Sequence, residues 1–154
     1  MITTLEHSPA HILQQLLIDL GKGTDPTGSS DWPIFYANEP DNPDSLIVVL
    51  DTVGRKDGRS MIGGEVFEHH GTNILVRSAK HPLGYAKIDS IAKALDEDVL
   101  NSVVTLTAVT GTSTAQYIIN SISRDSTRSL GKGPTPSNRN FFDLNALISL
   151  RQTS

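Results

Sequence analysis

Near the carboxyl end, Phe142-Asp143-Leu144-Asn145-Ala146-Leu147-Ile148-Ser149-Leu150 alternates in character with a period of two. Phe142, Leu144, Ala146, Ile148 and Leu150 fall on one face of an extended chain, and Asp143, Asn145 and Ser149 fall on the other. A strand with one packed and one wet face belongs to an antiparallel sheet covered by helices on one side.

Upstream of it, residues 102–109 and 114–123 flank the turn Thr110-Gly111-Thr112-Ser113 and predict a hairpin. Residues 45–52 hold an unbroken aliphatic run, Leu46 to Leu50, which predicts a central strand covered on both faces. Residues 65–70 and 73–80 predict two more strands joined tightly through Gly71 and Thr72. Residues 32–36 predict a short edge strand, because Pro33 has no N–H to give a ladder.

Two helices complete the plan. Ser8 is a suitable N-cap and Pro9 fits the first helical position; Ile12, Leu13, Leu16, Leu17 and Leu20 then share a face until Gly21. Pro82 opens the second helix, in which Ile88, Ile91, Ala92 and Leu95 lie at helical spacing. Asp96-Glu97-Asp98 closes it at the unfavourable end of the helix dipole and reads as a solvated turn. Residues 21–31, 38–44, 53–63 and 124–139 read as loops. The expectation is one α+β domain over residues 1–154, a mainly antiparallel sheet packed against two helices.

Composition narrows the function. The 154 residues include 37% hydrophobic and 19% charged side chains, as in a globular domain. Without cysteine there is no disulfide framework, thiol nucleophile or thiolate metal site. The net charge of −4 argues against tight binding of nucleic acid, whose phosphates demand a basic surface, and suits a surface that lets DNA pass. The longest purely apolar run is far short of the ~20 residues that span a bilayer, and the amino terminus lacks a secretory plan.

Motifs for chemistry are sparse. Gly21-Lys22-Gly23-Thr24 and Gly131-Lys132-Gly133 resemble fragments of a phosphate loop but lack its spacing and a preceding buried strand. His7 and His11 stand four apart, yet only Glu6 is near as a third zinc ligand. His69 and His70 are neighbours in a strand and point to opposite faces. There is no nucleophile elbow. The expectation is a protein that is not an enzyme and uses no cofactor or metal. Two long loops of mixed charge remain, with Arg55, Lys56, Asp57 and Arg59 in one and Arg124, Asp125 and Arg128 in the other. Such segments suit contacts with protein partners.

Three blocks carry a family resemblance. Residues 39–52, from Glu39-Pro40-Asp41-Asn42-Pro43-Asp44 through the aliphatic run to Asp51-Thr52, resemble the opening signature of a phage family of minor capsid and tail-terminator proteins. Asn73-Ile74-Leu75-Val76-Arg77-Ser78, then Tyr85, Ile88, Ile91 and Leu95, looks like that family's strand with Val-Arg followed by an amphipathic helix. Leu130-Gly131-Lys132 and then Asn140-Phe141 looks like its ending, although Gly133 stands where the family usually has an acid. Met61-Ile62-Gly63-Gly64 has no counterpart in the pattern.

The resemblance implies a virion structural protein, a tail terminator of a long-tailed phage, located at the head-proximal end of the tail after assembly in the host cytoplasm. It implies a hexameric ring that stops growth of the tail tube and offers a docking surface to head-completion proteins, with DNA passing through the lumen. The partners would be copies of itself, the major tail tube protein and a connector protein. The alternatives are a head-completion or neck protein and, from another class, a small α+β hydrolase or ligand-binding domain.

Overall fold

The computed structural model describes residues 4–27, 31–56, 68–97, 99–111, 113–132 and 139–153, with backbone alone at 56 and 132. Helix α1 (Pro9–Asp19) begins at the expected cap: Ser8 is extended and its Oγ accepts from the His11 N–H at 3.3 Å. It ends where Gly21 takes φ 73°, with the N–H of Gly21 on the Ile18 carbonyl and that of Lys22 on the Leu17 carbonyl, each at 3.0 Å. This is a Schellman closure, and it needs a residue at ease in the left-handed region.

The remaining elements are β1 (Ile34–Tyr36), β2 (Leu46–Lys56), β3 (Glu68–Ser78), α2 (His81–Glu97), β4 (Val103–Thr107), β5 (Thr114–Arg124), β6 (Arg128–Lys132) and β7 (Asn140–Gln152). Among the described residues the strands form one curled sheet in the order β1-β2-β3-β7-β5-β4, with β6 paired to β7 beyond the end of β5. Every pairing is antiparallel except that of β1 with β2. The fold is therefore α+β, with two helices and a mostly antiparallel sheet.

Both helices pack on one face. Ile12, Leu16 and Leu17 from α1 and Ile88, Ile91 and Leu95 from α2 join Ile47, Val49, Ile74, Val76, Phe142 and Leu144 in one core. The alternation in β7 thus has the expected sense, and the aliphatic run in β2 is indeed covered on both sides, with Leu46 to Val49 all fully buried.

Three local expectations need correction. Residues 65–70 and 73–80 do not form two strands with a turn at Gly71: within the described residues β3 runs unbroken from Glu68 to Ser78. Gly71 is there because of close approach, since a Cβ on it would lie 2.3 Å from the Val53 carbonyl oxygen. Likewise β2 does not stop at Thr52 but continues through an irregularity between Thr52 and Arg55 to Lys56. Gly54 permits this, because a Cβ there would lie 2.2 Å from the His69 carbonyl oxygen. Finally, the segment 124–139 contains β6, held opposite Asn140 to Asp143 of β7.

Register sets the two ends of the sheet. At one end Leu46 pairs with Arg77, Ser78 with Asn140 and Lys132 with Asn140. At the other, Lys56 pairs with Glu68 and His70 with Ile148. The strand ends that bracket 57–67 and those that bracket 133–138 therefore lie at opposite ends.

Candidate assembly surface

Arg77 sits on the face of β3 turned away from the helices and is only 2% exposed. An arginine is buried at low cost only if its donors are matched. Here Nη2 donates to the carbonyls of Pro43 at 2.7 Å and Asp41 at 3.0 Å, Nε to that of Asp44 at 3.4 Å, and Nη1 to Glu39 Oε1 at 3.0 Å. Every acceptor belongs to residues 39–44. Arg139, just ahead of β7, reaches the same loop, with Nε to Asp44 Oδ1 at 3.0 Å and Nη2 to the Asp41 carbonyl at 2.6 Å. Two guanidinium forks thus hold one proline-bearing loop against the sheet.

The aspartate that ends the aliphatic run also has a task. Asp51 Oδ1 accepts from the Ala10 N–H at 2.9 Å, which places a carboxylate at the positive end of α1 and ties β2 to that helix.

The predicted contact residues fall into two groups. Arg124, at the end of β5, is clamped to Asp96 at the end of α2, with Nε to Oδ1 at 2.8 Å and Nη2 to Oδ2 at 2.6 Å. That hydrogen-bonded pairing holds the Asp96 carboxyl below its usual range, and the Arg124 guanidinium above its own. The acidic turn expected to be merely solvated is therefore partly an ion-pair partner. Asp125 accepts from the Asn145 N–H at 2.9 Å and from its Nδ2 at 3.3 Å. Arg128, on β6, makes a two-pronged pair with Asp143 at 2.9 and 2.8 Å. The bonds from Arg128 and then Asn73 keep the Asp143 carboxyl low against the opposing effect of burial.

Arg55 belongs to the second group. It lines a groove with Asp51, Glu68, His69 and His70 beside Pro9. Lys56 follows it at the end of β2, and Asp57 and Arg59 lie outside the described residues. Strands β3 and β7 stand between Arg55 on β2 and Arg124 on β5, roughly 14 Å measured across the strands at the usual spacing, and register offsets the two along the strands as well. Val53 beside the groove is 94% exposed, turned outward by the irregularity in β2.

His7 and His11 sit in an aromatic row with Tyr117 and Tyr36, and among the described residues they belong to no group of three potential metal ligands. His7 Nδ1 lies 2.6 Å from the Tyr117 hydroxyl and Nε2 lies 2.9 Å from the Thr107 carbonyl, so both ring nitrogens are engaged. The His11 ring stacks on Tyr36 with centroids 4.1 Å apart. Burial, and then the neighbouring His7, lower the pKa of His11.

Sequence reasoning missed the importance of Arg77, Arg139 and Asp143. The available signal was a cation directly after Ile74-Leu75-Val76 in an otherwise aliphatic strand, which must find acceptors or not be buried.

Residues 16–126 match the model of a family described as bacteriophage tail terminator protein, a span of well over half the chain. No curated protein matches it.

Proposed function

The chain belongs to the bacteriophage tail terminator family, and from that premise we propose that it caps the tail tube as a six-membered ring. Membership makes it a component of the phage virion that interacts with other tail and head proteins. In this reading the ring halts tube growth, docks the head-completion proteins and lets DNA through its lumen. It acts by shape and surface complementarity, without a bound cofactor or a chemical step.

The observation that carries the reading is that the strand ends flanking residues 57–67 and those flanking residues 133–138 lie at opposite ends of the sheet. A ring subunit in this position needs different surfaces for different neighbours, and closure needs head-to-tail contacts. Arg55 and Lys56 supply charged contacts at one end of the sheet, and Asp57 and Arg59, which follow them in sequence outside the described residues, are assigned to the same group. Arg124, Asp125 and Arg128 supply them along β5 and β6, where Arg128 keeps 63% of its side chain exposed while it holds Asp143. The net charge of −4 supports a lumen that does not retain DNA.

Light scattering coupled to size-exclusion chromatography, with negative-stain imaging, tests the ring. A closed ring, alone or on added tail tubes, is expected; a strict monomer in both settings overturns the reading. Alanine at Arg55, Lys56 and Arg59 together should leave the domain folded and abolish attachment to tubes. Normal tail joining by that variant would remove this group from the contact surface.

A further inference from the structure

Two lysines bridge the segment after α1 and helix α2, and among the described residues the oxygens they bind are uncharged. Lys22 Nζ donates to Ser90 Oγ at 2.9 Å, and Lys87 Nζ donates to the Lys22 carbonyl at 3.1 Å. Lys87 and Ser90 are three residues apart on α2 and share a face of it. Among the described residues neither lysine is ion-paired to a carboxylate. The Lys87 ammonium lies 5.1 Å from the centroid of the Trp32 ring. Burial and then Lys22 lower the pKa of Lys87, which marks a site that disfavours its own positive charge.

The backbone beside these lysines is strained. Trp32 has φ 58°, a conformation that a bulky residue adopts at a cost and that clusters at functional positions. Gly23 makes room for it, since a Cβ there would lie 2.5 Å from the Trp32 carbonyl oxygen.

A simpler role, neutralising the carboxyl end of α1, does not account for both charges. The carbonyls of Leu16, Leu17 and Ile18 already accept the N–H groups of Leu20, Lys22 and Gly21. The helix end carries the equivalent of about half a negative charge, against two full positive ones. A positive excess remains.

We propose that Lys22, Lys87 and Ser90 form a binding site for a small oxyanion of the phosphate or carboxylate class, seated between the two ammonium groups beside the Trp32 ring. Each ammonium has three donors and uses one in the bonds above, so each keeps two for an anion, and the Ser90 O–H adds another. The Gly21-Lys22-Gly23-Thr24 segment therefore contributes a lysine side chain at a helix carboxyl end, not the amide cradle of a phosphate loop.

Trp32 is the single tryptophan of the chain, so its fluorescence reports on this site alone. The protein is titrated with sodium phosphate and, separately, with sodium acetate at constant ionic strength, with chloride as the control. A saturable change with phosphate or acetate that chloride does not produce is expected, the stronger of the two identifying the source of the oxyanion. Lys22→Gln should weaken it at least tenfold, and Lys22→Arg should largely retain it, with the melting temperature of each variant checked. An identical response to chloride, or an undiminished response in a folded Lys22→Gln, overturns the proposal.

Discussion

Arg77 and Glu39 meet at 3.0 Å across the face of the sheet opposite the helices, the first with 3% of its side chain exposed and the second with 37%. The contact is uneven: the arginine is committed to the interior and the glutamate is half in water. Most of what Arg77 provides goes to the carbonyls of Asp41, Pro43 and Asp44. An exposed carboxylate contributes little to such a pair, whereas a buried cation and stranded carbonyls are costly to separate.

Arg77→Ala should therefore lower stability by roughly 3–5 kcal/mol, while Glu39→Gln should cost no more than about 1 kcal/mol. Arg77→Lys should fall between, because an ammonium cannot reproduce the fork. Urea denaturation checks this through shifts in midpoint at unchanged slope. Equal losses for Arg77→Ala and Glu39→Gln would show that the ion pair, not the carbonyl cage, dominates.

Gly84 offers a test of the contact between α2 and β7. A Cβ there would lie 2.6 Å from Phe142 Cε2 and 3.0 Å from Ser78 Cβ, and the Phe142 ring is fully buried. Alanine would gain up to about 1 kcal/mol of helix propensity, but overpacking costs about 1–3 kcal/mol. Gly84→Ala should be net destabilising, as read by thermal melting; a stabilised variant would mean that Phe142 can move aside.

His11 gives the protein a dependence on mildly acid pH. Its folded pKa is lowered, so the unfolded chain binds the proton more readily. Stability is then complete above the usual imidazole range and falls as pH drops through that range toward the lowered value. His11→Phe retains a ring to stack on Tyr36 and removes the proton site. Its stability should vary less between pH 7 and 5 than the wild type's (roughly the span around an imidazole's ordinary titration), measured as urea midpoint against pH.

Asp143 acts in the opposite sense. Its carboxyl is held low by Arg128 and then by Asn73, so its contribution is present above the usual carboxylate range and is lost as pH falls through the lowered value. Asp143→Asn should flatten the acid limb of the stability profile. An acid limb as steep as the wild type's would assign that limb to other carboxylates.

Much of the architecture is legible in local patterns. The caps and spacing of α1, the alternation in β7, the aliphatic run of β2 and the turn between β4 and β5 each depend on neighbours a few residues apart. Such patterns report which face of an element is buried, and the three blocks of family resemblance lie on β2 and the loop before it, on β3 and α2, and on β6 and the start of β7. The residues within those blocks acquire their reasons only in three dimensions. Arg77 is an isolated cation in the sequence; pairing of β3 with β2 places it under residues 39–44, and pairing of β3 with β7 brings Arg139 to the same loop. Gly71 looks like a turn and proves to be a crossing point, because its constraint comes from Val53 on another strand. The pairs Arg124–Asp96 and Arg128–Asp143 span 28 and 15 residues, and the Arg77 and Arg139 contacts with Asp41 span 36 and 98. Periodicity in the chain determined which side chains would be buried. Register between strands, a property of the whole sheet, decided what each buried charge would meet.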